Sequence, residues 1–525
     1  MDRQVIIIGL MIICVSTVTF QKKTYYYVAS NDLKCPVEMC KNLTELLDDQ
    51  RNGTNHFSDA VIYLLPGIHQ VSTETSKIIS IRFASNLTIA SFNSSARATV
   101  RCEGHAAFEF HSCVNLTITG IGIEKCGALP PFDYHNHKLC IPKNVSVYIS
   151  HSLGVYIINT SIFNGTGIGL LLENVQNQVV ILESIMSHND DNLYLINYNN
   201  DASNTMAPSN VIVTNSSFNY ARKSHHFEEI VPHGITVYLY QTKFKTKLVL
   251  KNVNLIENER NLNFKFTLCN EWSSTEIYNL KSIQTNNEEN LYFELVYSKR
   301  CNSDIWTNFI TDRADVIGGK ISIHSVSQRT MNNHNLIIRN FSLSKCLLFI
   351  TRVERVVFEN IAIQNADTGS FRGMHIESSV VVFRGLFLYQ RNKRSQMAFK
   401  NSKITLETNS TFVFRHNSHL PESPLYCTKT HISMESGSSM LFNNNTGYEC
   451  GGLTLRNSSV TFKGSDTHNM IFVRNAGQRG GAMAFYALSK LMPITGQTNL
   501  TFMHNHCWRS NFCSRLRLHI SATNL

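Results

Sequence analysis

An eight-residue phrase recurs along this chain and leaves little freedom in how it can fold. Hydrophobic residues take its first, third and eighth places and asparagine its fifth. It reads Val155-Ile157-Asn159-Ile162, Val211-Val213-Asn215-Phe218, Leu248-Leu250-Asn252-Leu255, Leu336-Ile338-Asn340-Leu343, Val356-Phe358-Asn360-Ile363 and Leu453-Leu455-Asn457-Val460. A period of two marks a strand with one buried face, and asparagine tolerates the backbone of a tight corner. Looser copies put glycine or glutamate fifth, as in Leu116-Ile118-Gly120-Ile123, Val179-Ile181-Glu183-Met186 and Val381-Phe383-Gly385-Leu388. Strand, corner and strand, repeated every roughly 22 to 30 residues, predict an all-β chain wound as a single-stranded right-handed parallel β-helix. Asn159, Asn215, Asn252, Asn340, Asn360 and Asn457 are its structural turn residues.

A chain of 525 residues would ordinarily divide into several domains. A solenoid need not, because each coil packs only on its neighbours and the core grows along one axis. With strands ~4.8 Å apart, some 15 to 20 coils would make a rod on the order of 70 to 95 Å long. The expected order is a signal peptide over 1–20, a cap over 21–75, coils over 76–263, wider coils or an insertion over 264–335, and coils over 336–525.

The first twenty residues carry the apolar run Val5 to Val15 behind Asp2 and Arg3, which suits a secretory signal. No later window approaches the ~18 to 20 apolar residues of a membrane span, so none is expected in the mature chain. Export agrees with the Asn-x-Ser/Thr sequons at Asn42, Asn52, Asn86, Asn93, Asn115, Asn144, Asn159, Asn164, Asn215, Asn340, Asn409, Asn444, Asn457 and Asn499. Of 14 cysteines, Cys14 lies in the signal and an odd number remains, so at least one thiol stays free or pairs between chains. Proximity in sequence favours Cys35 with Cys40, Cys102 with Cys113, Cys126 with Cys140 and Cys507 with Cys513. None forms a CxxC pair, which argues against zinc and thioredoxin-like sites.

Residues 21–75 differ in character. Tyr25-Tyr26-Tyr27-Val28 reads as a strand, and Leu43, Leu46 and Leu47 opposite Glu45, Asp48 and Asp49 read as an amphipathic helix that caps the open end of the coil stack. Ala60 to Leu65 is a buried-strand run ended by the Pro66-Gly67 turn. This order, followed by Asn86-Leu87-Thr88-Ile89, resembles right-handed β-helix ectodomains of marine invertebrates. Such proteins resemble the pectin lyase-like superfamily, which implies a β-helix fold and a function among polysaccharide lyases, glycosidases and carbohydrate-binding surface proteins.

Toward the end the repeat changes. Phe414 and Asn417, Phe442 and Asn445, Phe472 and Asn475, and Phe502 and Asn505 form FxxN motifs, two of them followed by the glycine pairs Gly451-Gly452 and Gly480-Gly481. Phe is expected to fill one internal layer while Asn and Gly take tight or left-handed turns. The combination resembles the repeats of chlamydial polymorphic outer-membrane proteins, which are β-helical adhesin passengers.

Chemistry is sparse by comparison. In lyases of the superfamily it resembles, acids one coil apart hold Ca²⁺ and an Arg or Lys acts as base, so Asp190 and Asp191 beside His188 form the best acidic candidate. Pro232-His233-Gly234-Ile235 only echoes the Gly-His-Gly segment of polygalacturonases. A polar turn explains Asp190-Asp191 as well. His135 with His137, and His504 with His506 and Cys507, read as loop and turn residues rather than metal ligands. GxSxG, HExxH and P-loop patterns are missing. The net charge of +10 favours acidic polymers, yet basic residues are scattered and no nucleic-acid motif occurs.

The expected function is therefore a secreted, non-enzymatic module that displays loops and a flat sheet face to a glycan or a cell-surface or matrix protein, with no cofactor. The alternatives are a polysaccharide lyase or glycoside hydrolase at Asp190 and Asp191, which alone would need Ca²⁺, and a self-associating structural matrix protein.

Overall fold

The computed structural model describes residues 23–30, 40–43, 45–46, 57–72, 78–103, 107–127, 144–198, 209–221, 233–240, 246–258, 260–268, 273–285, 289–297, 307–325, 334–353, 355–367, 372–493 and 498–508. Within them the chain is a right-handed parallel β-helix. A 15-stranded sheet takes one strand from each coil, a 28-stranded sheet wraps the other sides, and a short three-stranded sheet of Thr446–Gly447, Ala476–Gly477 and His506–Cys507 adds a further side near the carboxy-terminal end. At ~4.8 Å per coil the stack is on the order of 70 Å long.

Register shows why the phrase repeats. Ile157 pairs with Ile118 on one side and Ile181 on the other, and the column continues through Val213, Leu250 and Ile277. Ile338, Phe358 and Phe383 continue the same arrangement further along. All belong to one core that runs from Val28 to Leu500. Strands Arg260–Leu268, Ser273–Ile283, Glu289–Tyr297, Thr307–Ile317, Lys320–Ser325 and His334–Ser344 carry both sheets through 264–335 in parallel register, so the described residues of this segment belong to the coil stack.

The fifth residue of the phrase turns a corner. Asn159, Asn215, Asn252, Asn340, Asn360 and Asn457 have φ between 46° and 54°, as do Glu183 at 51° and, further out, Gly120 at 70° and Gly385 at 65°. Stacked corners bond to one another: Asn252 Nδ2 donates to Asn215 Oδ1 at 2.9 Å, and Asn279 Nδ2 to Asn252 Oδ1 at 2.8 Å. Asn457 turns a different corner from the rest. It leads from strand Leu453–Arg456 of the 15-stranded sheet into Ser459–Phe462 of the larger one, so one local pattern serves two corners of the cross-section.

The FxxN repeats are built otherwise than the sequence implied. The left-handed residue is the one before the asparagine, namely His416, Asn444, Arg474 and His504. Asn417, Asn445 and Asn475 point inward instead, fully buried, and form an amide ladder. Each Oδ1 accepts from the backbone N–H and the Nδ2 of the asparagine one coil back, at 2.9–3.1 Å from Asn417 through Asn505. Each Nδ2 also donates to the carbonyl of the aromatic residue of the preceding coil at 2.9 Å, as Asn445 does to Phe414. A β-strand bend at this point leaves backbone groups that must be paired, and the inward amide pairs them. Beside the ladder the rings of Phe414, Phe442, Phe472 and Phe502 stack at 4.7, 4.8 and 5.2 Å. The glycine pairs also serve packing rather than a left-handed turn: a Cβ on Gly452 would sit 2.2 Å from the Ala482 carbonyl oxygen.

Cysteine pairing follows coil neighbours. Cys102 is bonded to Cys126, 24 residues on, with Cα atoms 4.8 Å apart. The pairings of Cys102 with Cys113 and of Cys126 with Cys140 are therefore corrected. In a solenoid the nearest neighbour in space lies one coil away, and strand Ala98–Glu103 lies against Ile121–Glu124 with Arg101 opposite Glu124. Cys113, Cys346, Cys427 and Cys450 are buried free thiols; burial raises their pKa values, to about 12 for Cys346 and about 11 for Cys450, which suppresses the reactive thiolate. Cys40 and Cys507 are disulfide-bonded. Cys35, Cys140 and Cys513 lie outside the described residues, as do the signal segment and His135 and His137.

No described element is a helix, so the amino-terminal capping helix is not seen. What is described is one turn: Asn42 Oδ1 accepts from the Glu45 N–H at 2.8 Å, Glu45 Oε2 accepts from the Asn42 N–H at 3.3 Å, and the Leu46 N–H donates to the Asn42 carbonyl. Leu43 and Leu46 are buried in the core. Among the described residues no helix is long and apolar enough to cross a membrane.

Candidate functional site

The 15-stranded sheet turns alternate side chains outward, and its first five strands gather the most chemistry. Ile78–Arg82, Ala107–His111, Val145–Ser150, Ile168–Glu173 and Asp191–Tyr198 lie side by side. Register sets Glu109 beside Tyr148, His111 beside Ser150, and Ser150 beside Glu173. The Tyr148 hydroxyl donates to Glu173 Oε2. His111 Nδ1 lies 2.9 Å from Ser150 Oγ, and the His111 ring is 5.4 Å from that of His151. Arg82 Nη2 is 3.6 Å from Glu109 Oε2. Glu109 is 1% exposed, and neither of its oxygens has a hydrogen-bond partner among the described residues.

Phe83 and His151 sit at the left-handed corner where these strands end, with φ of 57° and 49°. Phe83 is 73% exposed, and its ring meets His111 edge-on at 6.2 Å. Beside this polar group, Val145, Tyr148, Ile168, Leu171, Tyr194 and Ile196 form a buried apolar cluster separate from the core, with Tyr238 against it. The site thus offers a fixed aromatic face, two carboxyl groups, a tyrosine and an imidazole. Burial, then His151, lowers the pKa of His111 against the opposing pull of Glu109 and Glu173, leaving a neutral ring with a lone pair at neutral pH.

Four more histidines share that direction of shift. Burial is the largest cause lowering the pKa of His69, His324, His431 and His468 as well. A depressed histidine binds fewer protons folded than unfolded, so its contribution is whole above the unfolded value of about 6.5 and is lost as pH falls through the folded value. Thermal unfolding should show a flat midpoint between about pH 7 and 8 and a falling one from about pH 6.5 to 5. Glu377, held low chiefly by its bond from Lys400, adds its own loss only at more acid pH. A midpoint that holds or rises between about pH 6.5 and 5 would contradict this assignment.

The acidic trio singled out in sequence does not converge. Asp191 is fully buried, and its Oδ1 accepts from the His233 N–H at 2.7 Å and lies 3.0 Å from His233 Nδ1. His233 Nε2 in turn lies 3.2 Å from Asn263 Nδ2. Asp191 therefore clamps the next coil. Asp190 is 8% exposed, its N–H donating to Gly167 O, while His188 stands exposed at a corner with its ring 5.1 Å from that of Tyr220. His504 and His506 are exposed, and no group of three or more metal-ligating side chains occurs among the described residues. Sequence reading missed Glu109 and Tyr148 because they are 39 residues apart, far from the usual coil interval, although they are neighbours in register; Glu173, too near Asp190 in sequence to be its partner one coil away, bonds Tyr148 instead. The Glu-Phe-His run at Glu109-Phe110-His111, polar and apolar residues alternating, was the available signal.

No family model matches this chain, and no curated protein matches it. Similar solved structures include a PL6 alginate lyase in complex with a trisaccharide, at 12% identity and a TM-score of 0.35, covering 81% of this chain and 85% of the other. The surface adhesin PfbA of Streptococcus pneumoniae covers 88% and 86%, at 11% identity and a TM-score of 0.28. A Geobacillus virus E2 protein, ORF18, matches at 11% identity and 0.21; 84% of this chain aligns, spanning about half (54%) of that one. At these scores the fold rests on this chain's own strand register.

Proposed function

We propose that this chain is an extracellular glycan-binding β-helix that holds a saccharide on the outward face of the 15-stranded sheet between Arg82 and Glu173. The observation that carries the reading is Phe83. A bulky residue in the left-handed region costs on the order of 1 kcal/mol or more, and exposing the ring forgoes its burial. Neighbouring corners use Ser112, His151 and Asn174. A sugar lays its apolar ring face on such a platform while its hydroxyls reach the accessible rings of His111 and His151, behind which Glu109 and Glu173 are buried. The disulfide at Cys102–Cys126 and the sequons support an oxidising, extracellular setting.

The test is binding of the full chain to a panel of neutral and acidic oligosaccharides. Phe83→Ala should weaken the bound member by about tenfold or more without lowering the unfolding midpoint. Unchanged affinity across the panel would remove Phe83 from the site.

One observation favours a second reading, cleavage at the same place. Glu109 is a buried carboxyl with no hydrogen-bond partner among the described residues, its charge faced by Arg82 at 3.6 Å and its strand neighbour Tyr148 bonded to Glu173, so two carboxyl groups flank one tyrosine. Incubating the same panel with and without Ca²⁺ separates the two. Product formation abolished by Glu109→Gln and by Glu173→Gln makes the chain an enzyme, and its absence leaves a binding module.

A further inference from the structure

Far along the rod, the corner between the two sheets opens into a groove of about 490 Å³ lined by Ser378, Asn401, Ser402, Lys403, Lys429 and His431, among others. We infer that this groove binds a linear acidic glycan through the carboxylate or sulfate groups of successive sugar residues. It extends the proposed glycan binding to a second place on the rod and is tested separately from it.

The charge in the groove is uncompensated. Lys403 and Lys429 are exposed and make no ion pair among the described residues. The carboxylates around it are taken up elsewhere: Glu377 by Lys400 at 2.7 Å and His375 at 3.3 Å, Glu407 by Arg384 at 2.5 Å, and Glu435 by Lys463 at 3.8 Å and the Ser433 hydroxyl at 2.9 Å. The lining itself holds no carboxylate. His431 is a wall rather than a charge, since its ring nitrogens face Ser459 Oγ at 2.8 Å and Thr461 Oγ1 at 3.2 Å, and burial lowers its pKa.

The geometry is periodic. Val380, Lys403, His431, Ser459 and Lys490 stand in register on successive coils ~4.8 Å apart, and the groove's two cations fall on consecutive coils, Lys403 in this column and Lys429 at the left-handed corner just before His431, with φ of 49°. Ser378 and Asn401, exposed at consecutive left-handed corners with φ of 52° and 50°, add a hydroxyl and an amide at the same interval. A polymer with acidic groups on neighbouring sugars meets this pair of lysines; a single-stranded nucleic acid would need aromatic platforms for its bases, and the lining holds none. The net charge of +10 steers polyanions toward the whole rod, so only a local comparison tests the groove.

The experiment measures binding of the full chain to immobilised heparin, polygalacturonate and dextran, for wild type and two double variants of equal charge loss. Lys403→Gln with Lys429→Gln should lower affinity for heparin, polygalacturonate or both by about tenfold or more. Lys251→Gln with Lys345→Gln, exposed elsewhere on the rod and without an ion pair among the described residues, should change it by no more than about twofold, and dextran should not bind. A loss confined to heparin assigns the group as sulfate, one confined to polygalacturonate as carboxylate. Equal losses in both double variants, or no polyanion binding by the wild type, would overturn the groove. Phe83→Ala should leave polyanion binding at the groove intact, so that failure of one site is distinguishable from failure of the other.

Discussion

Replacing Asn445 by alanine is expected to destabilise the carboxy-terminal coils by about 3 to 5 kcal/mol. The side chain is fully buried and makes four hydrogen bonds. Its Oδ1 accepts from Asn417 N and Nδ2 at 3.0 and 2.9 Å, and its Nδ2 donates to Phe414 O at 2.9 Å and Asn475 Oδ1 at 3.0 Å. Alanine removes the atoms and strands the Asn417 N–H and the Phe414 carbonyl in a dry interior, at a cost of about 1 to 3 kcal/mol each. Because coils touch only their neighbours, the damage should stay local. Hydrogen exchange should show protection lost around strands Thr411–Arg415, Ser439–Asn443 and His468–Val473 and kept around Leu153–Ile158. The half-exposed Asn443 is the control, with an expected change under about 0.5 kcal/mol. A loss below about 1 kcal/mol at Asn445 would mean that water or a shifted backbone replaces the ladder.

Phe442→Ala should cost about 3 to 5 kcal/mol by denaturant unfolding. Its ring is fully buried between Phe414 at 4.7 Å and Phe472 at 4.8 Å, so truncation loses the transfer energy, leaves a cavity and breaks two stacked pairs. Phe502 has one stacked neighbour at 5.2 Å and is half-buried, so Phe502→Ala should cost only about 1 to 2 kcal/mol. Equal losses at the two positions would show that the stack does not act as a layer. The double change at Phe442 and Asn445 should cost less than the sum, since both residues hold the same coil.

Much of the architecture was legible because a solenoid writes its cross-section into sequence once per coil. Ile157, Val213, Leu250, Ile338 and Phe358 announce one interior by position alone, and all five are core residues. What was illegible depends on which residues become neighbours after long excursions. Cys102 and Cys126 are bonded across neighbouring coils but are 24 residues apart in sequence, and Glu109 meets Tyr148 only because 39 residues fit within that step. The inward amides of the FxxN motif were misread for a chemical reason: asparagine suits both a left-handed corner and a buried ladder, and only the backbone angles at His416 and Asn444 tell which residue turns. Asp191 likewise looked reactive because a buried carboxylate clamp and an acidic ligand group are the same residue in one dimension.

The lengths of the corners are unequal around the cross-section. From Asn159 to Asn252 the asparagine corner takes two residues between strands, while ten or more separate Tyr198 from Ser209 and Asn219 from His233. The first follows a strand of the 15-stranded sheet in the chain and the second precedes one. Insertions and deletions tolerated there leave every rung pairing with the same partner. Changing the length of these two stretches would therefore alter the margins of the broad face while the winding of the coils stays as it is.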